Sequence, residues 1–229
     1  MSSEDSLSRR RMLQLGLTGA VAGLMGSGLE LALPSPAIAQ STLTPSAALD
    51  ELMAGNHRFT SGKMTAHEQD LAILKQHTEE KQEPFAAVLS CADSRVPVEI
   101  VFDQTIGHIF VTRVAGNVIT PEIIGSLEYG AAVLGTKAIL VMGHSNCGAV
   151  KATMQGKEVP GQISSLFPHI QPGVDQGGMD LAAATKANAK VQATLLSEAS
   201  TVIAPMVKSG AVKIVAAYYD VGSGVVTLL

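Results

Sequence analysis

The sequence predicts an α/β fold with a mostly parallel central sheet, an antiparallel edge strand, helices on both faces and an N-terminal helical arm. Short apolar runs of strand length, such as residues 85–90 and 137–142, alternate with longer segments that suit helices. This alternation is typical of parallel sheets whose crossovers are helical. Near the C-terminus, Gly222-Ser223-Gly224 separates two further apolar runs. Such a separation indicates a hairpin and therefore an antiparallel last strand.

The expected elements follow one another with short connections. In chain order they are a helix at 46–58, a helix at 66–78, a strand at 85–90, a short helix at 97–102, a strand at 108–112, a helix at 121–134, a strand at 137–142, a helix at 147–155, a helix at 180–206, and strands at 211–218 and 224–229. The Gly-rich stretch 171–178 is expected to be a loop before the long Ala-rich helix.

The first helix and the last strand have apolar surfaces that need a cover. Leu49, Leu52, Met53 and Phe59 recur at helical spacing. A helix with this stripe either wraps a neighbouring subunit as an arm or packs on its own sheet. The apolar run 225–229 would form an exposed edge, which another subunit would tend to cover.

The chain has two cysteines, and each follows a predicted strand. Cys91 stands at the end of the first apolar run, while His144 and Cys147 come just after the run 137–142. Carboxyl ends of parallel strands are the usual location of sites in α/β sheets. Ser145 or Asn146 can cap a helix that begins near Cys147, and a helix N-terminus lowers the pKa of a thiol. Two thiolates and one imidazole form a three-ligand zinc site that leaves the fourth position open.

Other interpretations of these residues exist. Two cysteines in an exported protein often form a disulfide or serve as small buried hydrophobes. A single histidine after a strand is usually structural, and Asp93-Ser94-Arg95 could be a solvated turn. The combination of Cys-x-Asp-Ser-Arg on one strand with His-x-x-Cys on another favours a metal site. Asp93 and Arg95 are then close enough to form a bidentate pair.

Residues 91–95 and 143–148 together resemble the signature of the β-class carbonic anhydrases. The resemblance extends to residues 49–59, 110–117 and 126–129, so that it covers the chain from about residue 47 to the C-terminus. It implies that Cys91, His144 and Cys147 bind one Zn²⁺ per chain, and that zinc-bound hydroxide attacks carbon dioxide. The implied reaction is the reversible hydration of carbon dioxide to bicarbonate and a proton.

The same resemblance implies roles for residues around the metal. Asp93, held by Arg95, would accept a hydrogen bond from the zinc-bound water. A homodimer or homotetramer is implied as well. In the family, a glutamine at the position of Gln82 reaches across the dimer interface to the substrate oxygen, although its polar surroundings here also suit a solvated loop.

The rest of the implied substrate pocket is small and apolar. Phe110 and Tyr129 resemble its aromatic wall, and Gly148 resembles a backbone donor. Phe110 could equally be ordinary strand core.

Two positions depart from the family pattern. Val88 stands where members inhibited by bicarbonate usually carry a tryptophan, so we expect a constitutively open site. His108 stands where the family often has an acidic residue, and no role follows for it. Two alternative functions remain open: hydrolysis of carbon disulfide or carbonyl sulfide on the same scaffold, and a non-catalytic zinc or thiol-redox protein.

The first 39 residues resemble a twin-arginine export signal. Arg9-Arg10-Arg11 precede a Gly-rich apolar stretch, and an Ala-x-Ala site ends at Ala39. The alternative, a membrane anchor, is disfavoured by Glu30 and by five glycines between residues 13 and 33. We expect cleavage, an exported domain at 40–229 in the periplasm or an equivalent compartment, and no stable membrane span afterwards. Cleavage removes three basic and three acidic groups, so the net charge stays at −4, and no basic patch suggests nucleic acid.

Overall fold

A computed structural model describes residues 41–66 and 81–229. The expected signal at 1–39 and nearly all of the expected helix at 66–78 lie outside the described residues. The α-helices of the described part are α1 Pro45–Thr60, α2 Val98–Val101, α3 Pro121–Glu128, α4 Gly148–Gln155, α5 Phe167–Gly177, α6 Leu181–Ala199 and α7 Ile203–Lys208. The strands are β1 Ala86–Ser90, β2 Ile109–Arg113, β3 Ala138–His144, β4 Lys213–Tyr219 and β5 Val226–Leu228.

The five strands form one sheet in the order β2-β1-β3-β4-β5. β2, β1, β3 and β4 are parallel, and β5 pairs antiparallel with β4 across the predicted hairpin. The predicted fold class is therefore confirmed. Ser90 of β1 lies opposite Met142 of β3, so the residues that follow both strands emerge at the same edge of the sheet.

Helices cover both faces of the sheet because side chains alternate along each strand. Val88, Leu140 and Met142 face α1 and α2, while Leu89 and Val141 face α3, α6 and α7. β1 and β3 are buried along their whole length, as expected for central parallel strands. A third apolar cluster lies at the carboxyl edge and includes both cysteines.

Helix α1 packs on its own sheet. Leu49 and Leu52 are 6% and 0% exposed, and they belong to the cluster that covers β1 and β3. Buried Asn56 donates to the carbonyl oxygens of Val101 at 3.1 Å and Gly224 at 2.9 Å, and its own oxygen accepts from the Val226 N–H at 2.9 Å. Of the two alternatives for this helix, an arm around a neighbouring subunit or packing on its own sheet, the structure shows packing on its own sheet.

The expected loop at 171–178 is wrong, because most of this stretch belongs to helix α5. A Cβ at Gly173 would lie 2.5 Å from the Asn188 Cα, and one at Gly177 would lie 2.2 Å from the Ala184 Cα. These two glycines are four residues apart on one helical face, where they allow α5 to approach α6 closely. Glycine serves helix packing here instead of a turn.

The expected single helix at 180–206 is divided into α6 and α7. Ser200 follows α6, and its hydroxyl accepts from the Ile203 N–H at 2.9 Å while donating to Glu128 at 2.6 Å. This hydrogen bond satisfies the N–H of the first residue of α7.

No helix in the described ranges has both the length and the apolar character required to cross a bilayer.

Candidate metal centre

The ends of β1 and β3 bring Cys91, His144 and Cys147 together. Their ligand atoms all lie within 4.8 Å of one another, and all three residues are buried. Both cysteines are free thiols, so the structure has no disulfide between them. The three residues that the sequence indicated as ligands therefore form one group at the carboxyl edge of the sheet. We call this group of side chains the metal cluster.

A tight turn after β3 places Cys147 beside His144. Asn146 has φ of 55°, a left-handed conformation that asparagine tolerates better than most residues. Cys147 is itself the N-terminal cap position of α4, and no side chain caps this helix. The expectation that Ser145 or Asn146 caps it is wrong, since the Ser145 hydroxyl instead accepts from the Val221 N–H at 2.9 Å.

The imidazole of His144 is oriented by its own turn. Nδ1 lies 2.9 Å from the carbonyl oxygen of Ser145. Because a carbonyl oxygen only accepts, Nδ1 carries the proton and Nε2 keeps a free lone pair. Nε2 is buried and finds no hydrogen-bond partner among the described residues. An unpaired buried acceptor is costly, and a metal ion held by the two thiolates would satisfy it, so this donor set fits zinc.

Contact between the two thiols shifts their pKa values in opposite directions. The hydrogen bond with Cys147 is the largest effect that lowers the pKa of Cys91, to about 4; burial opposes this shift, and the Gly116 N–H lowers the pKa further. The pKa of Cys147 is raised by the same hydrogen bond to Cys91 and by burial. A cation that displaced the proton of this hydrogen bond would bind both sulfurs as thiolates.

Asp93 and Arg95 form the bidentate pair that the sequence indicated. Arg95 Nε lies 2.9 Å from Oδ1 and Nη2 lies 2.7 Å from Oδ2 of Asp93. The Arg95 guanidinium holds the pKa of Asp93 far below its usual range. Oδ2 is 3.8 Å from His144 Nε2. An ionised carboxylate therefore lies directly beside the candidate metal position.

Arg113 is a part of the site to which the sequence assigned no role. Its Nε donates to the Cys91 carbonyl oxygen at 3.1 Å and its Nη2 to the Asp93 carbonyl oxygen at 2.5 Å. Arg113 ends β2 and lies opposite Ser90, so it fixes the backbone of the loop that carries Cys91 and Asp93. The sequence signal for this role was a charged residue at the end of a predicted strand.

The four expected substrate-binding residues lie at two different edges of the sheet. Gly148 begins α4 beside Cys147. Gln82 is exposed before the first residue of β1, next to a backbone hydrogen bond from Glu83 to Gly107. β1 spans roughly 16 Å at about 3.3 Å per residue, so Gln82 and Cys91 are at opposite ends of this strand.

Phe110 and Tyr129 lie together but away from the metal cluster of their own chain. Their ring centroids are 6.2 Å apart, and Tyr129 is 47% exposed. Phe110 pairs in register with Ala87, which precedes Cys91 by four residues, or roughly 13 Å of extended chain. The structure therefore does not bring the predicted aromatic wall to the cluster within one chain.

Sequence comparisons identify relatives over most of the chain. A family model described as carbonic anhydrase matches residues 86–226. A carbonic anhydrase of Mycolicibacterium smegmatis is 36% identical over 194 residues, which are 80% of this chain and 93% of that protein. Carbonic anhydrase 2 of Mycobacterium tuberculosis is 32% identical over 188 residues, which are 79% of this chain and 90% of that protein.

Solved structures share the fold. A tetrameric β-carbonic anhydrase from Sordaria macrospora superposes with a TM-score of 0.65 at 19% identity, over 79% of this chain and 96% of that one. A Coccomyxa β-carbonic anhydrase in complex with acetazolamide has a TM-score of 0.61 at 25% identity, over 79% of this chain and 86% of that one. With the match of the family model and the identity to the mycobacterial enzymes, these findings show that the chain belongs to the β-class carbonic anhydrases.

Proposed function

We propose that this chain binds one zinc ion through Cys91, His144 and Cys147 and uses it to hydrate carbon dioxide reversibly to bicarbonate and a proton. The observation that carries the proposal is the buried lone pair of His144 Nε2, which has no partner in the described part of the chain and lies within 4.8 Å of two free thiols. Zinc in such a site supplies a Lewis acid that makes hydroxide available from water near neutral pH.

In this proposal Asp93 orients the reacting water. Its carboxylate stays ionised because Arg95 holds its pKa low, so it acts as a hydrogen-bond acceptor. Arg95 contacts both carboxylate oxygens, which keeps them from becoming a metal ligand themselves. This pairing supports the open kind of site that Val88 led us to expect.

Gly148 is the proposed backbone donor to the substrate. The first N–H groups of a helix have no partner within the helix, and Gly148 is the first residue of α4. A Cβ at this position would meet nothing within 4 Å. An oxygen of carbon dioxide or bicarbonate therefore has room to approach this N–H.

We also propose that the working unit is a homodimer or a homotetramer of such dimers. Gln82, Phe110 and Tyr129 lie at the amino edge of the sheet, whereas the metal cluster lies at the carboxyl edge. A two-fold axis would bring the amino edge of one chain to the carboxyl edge of its partner. In that arrangement the partner's glutamine contacts the substrate and the aromatic pair forms the apolar wall.

Residues 1–39 are proposed to be a cleaved twin-arginine signal, which would place the domain in the periplasm or an equivalent compartment. The basis is Arg9-Arg10-Arg11 with the Ala-x-Ala site ending at Ala39. Export of the folded chain would allow zinc to bind before the thiols meet oxidising conditions. The mature N-terminus of secreted protein, read by mass spectrometry, should be Gln40.

Metal analysis and activity test the proposed reaction together. Purified residues 40–229 should contain about one zinc per chain, and Cys147→Ser or His144→Ala should lose most of the metal along with carbon dioxide hydration. Steady-state rates with carbon disulfide and carbonyl sulfide compare the sulfur-substrate alternative directly. The proposal would be overturned if wild-type protein were fully stable without zinc. It would also be overturned if Cys91 and Cys147 formed a reversible disulfide in the purified protein.

A further inference from the structure

Helix α6 presents buried amide side chains to the loop that follows β2. Asn188 and Gln192 are 0% and 1% exposed, and they are one helical turn apart. Buried polar groups need partners, and the main partners of these two lie outside their own helix. The Asn188 Nδ2 donates to the Gly116 carbonyl oxygen at 2.9 Å, and the Gln192 Oε1 accepts from the Ile119 N–H at 2.7 Å.

Gly116 connects this pair to a proposed zinc ligand. Its N–H donates to the Cys91 Sγ at 3.4 Å, while its carbonyl oxygen accepts from Asn188. Its φ is 76°, and a Cβ there would lie 2.6 Å from the Ile170 Cδ1. The positive φ therefore strongly favours glycine at this position, and a residue with this much backbone freedom needs outside contacts to hold its N–H toward the sulfur.

Gln192 determines which way the amide of Asn188 faces. The Gln192 Nε2 donates to the Asn188 Oδ1 at 3.2 Å and to the His169 carbonyl oxygen at 2.8 Å. Because the Asn188 oxygen accepts from Gln192, its nitrogen is the group left to meet Gly116. The two amides thus form one buried network that ties α6, α5 and the loop 116–119 together.

We propose that Asn188 and Gln192 are positioning residues for Cys91, acting through the N–H of Gly116. This inference rests on the proposed role of Cys91 as a zinc ligand. An N–H donor to a metal-bound thiolate takes up part of its negative charge and fixes the direction of its lone pairs. The network holds that donor in place from a helix that contributes no ligand.

Zinc affinity distinguishes positioning from general stability. Asn188→Ala and Gln192→Ala should weaken zinc binding, measured by competition with a chelator, by about 10-fold to 100-fold, the usual effect of losing a partner that orients a ligand. Ser200→Ala is the matched control. Ser200 is 1% exposed, follows the same helix and also makes buried hydrogen bonds, but to Glu128 and Ile203 instead of the loop. It should lower thermal stability without a change in zinc affinity.

The absorption spectrum of cobalt-substituted protein reports on the metal ligands and does not depend on folding stability. The thiolate-to-cobalt absorption band should shift in Asn188→Ala, because the Gly116 N–H is no longer held toward the Cys91 sulfur. The band should stay at the wild-type position in Ser200→Ala. Unchanged zinc affinity and an unchanged band in both α6 variants would overturn the inference. Wild-type protein that binds no metal would instead overturn the proposed function, so the two failures are distinguishable.

One measurement on the wild-type protein covers the case in which the α6 variants do not fold. In protein loaded with the NMR-active cadmium isotope, the Gly116 amide proton should show scalar coupling to the metal through the Cys91 sulfur. The same amide should exchange slowly with solvent. A Gly116 amide without this coupling and with fast exchange would overturn the inference.

Discussion

At the scale of the residue, Arg95 joins the two loops that carry the proposed ligands. It pairs with Asp93 after β1, and its Nη2 also donates to the Asn146 carbonyl oxygen at 3.3 Å in the turn between His144 and Cys147. Arg95 is exposed, so the value of this contact lies in geometry more than in folding free energy. Removal of the Arg95 side chain should therefore lower the catalytic rate more than it lowers the stability.

We therefore expect Arg95→Ala to keep zinc but to lower carbon dioxide hydration by about 10-fold to 100-fold. The Asp93 carboxylate, freed from its partner 3.8 Å from His144 Nε2, could then occupy the open metal position. Asp93→Asn should also keep zinc and reduce turnover, but by less. Lys208→Ala removes a cation from α7 and should leave the rate unchanged. Wild-type rates in Arg95→Ala would refute the role of the pair.

Asp103 is a buried carboxylate that is not part of the metal cluster. It accepts from Arg58 Nε at 2.6 Å and from the N–H groups of Thr65 and Ala66, at 3.0 Å in both cases. Burial raises the pKa of Asp103, but the hydrogen bonds from Ala66, Arg58 and Thr65 outweigh it and leave the pKa below its ordinary value of 3.8. The ionised form therefore stabilises the fold.

Asp103→Asn should lower the free energy of unfolding by about 2 kcal/mol at neutral pH. Because the pKa in the folded state is depressed, this contribution is present above pH 3.8 and is lost as the pH falls through the lower folded value. Urea unfolding at neutral and acidic pH measures both effects. Asp50→Asn, at an exposed site in α1, should change the free energy by less than about 0.5 kcal/mol. A wild-type advantage that persisted in strong acid would contradict this linkage.

At the scale of the element, α5 is the helix that closes the apolar cluster around the cysteines. Ile170 of α5 is fully buried in the cluster that contains Cys91 and Cys147. The helix reaches this depth because Gly173 and Gly177 lie against the backbone of α6. The close approach of two helices thus limits the access of solvent to both thiols.

Gly177→Ala should separate these helices, since its Cβ would lie 2.2 Å from the Ala184 Cα. We expect a loss of about 1–3 kcal/mol in the free energy of unfolding, which is the usual effect of overpacking. Gly125→Ala is a matched control, because this glycine is in α3 and a Cβ there would meet nothing within 4 Å. It should be neutral or should stabilise by up to about 1 kcal/mol. Equal melting temperatures for the two variants would show that the glycines of α5 are not needed for packing.

At the scale of the whole molecule, the proposed pocket is divided between the two edges of one sheet. The parallel strands send Cys91, His144 and Cys147 to the carboxyl edge. Gln82 precedes the same sheet at its amino edge, beside the turn that leads to Phe110. A single chain therefore holds two incomplete halves of the proposed site.

Complementation tests whether two chains share the site. Gln82→Ala should lower activity through loss of the substrate contact, and Cys147→Ser should abolish it through loss of zinc. Unfolded and refolded together, the two variants should regain activity, because a mixed dimer has one site with intact ligands and an intact partner glutamine. Cys147→Ser mixed with His144→Ala is the control that should stay inactive, since each chain lacks a ligand. A fully active monomer in sedimentation would exclude sharing.

The sequence alone was sufficient for the fold class and for the residues of the metal cluster. Local patterns decide both: apolar runs of strand length predict buried parallel strands, and polar residues that follow two such strands emerge at one sheet edge. Cys91, His144 and Cys147 could therefore be grouped before any distance was known. The pairing of Asp93 with Arg95 was predictable for the same reason, because the two residues are neighbours in one turn.

Only the tertiary structure decided features that depend on contacts between distant segments. Gly173 and Gly177 suit a loop by composition, and the backbone of α6 beside them shows that they serve helix packing. The chain from Asn188 through Gly116 to Cys91 joins segments 72 and 25 residues apart. The sequence by itself determines which polar residues follow each strand, whereas the partners of a buried polar group depend on which surfaces the packed helices bring together.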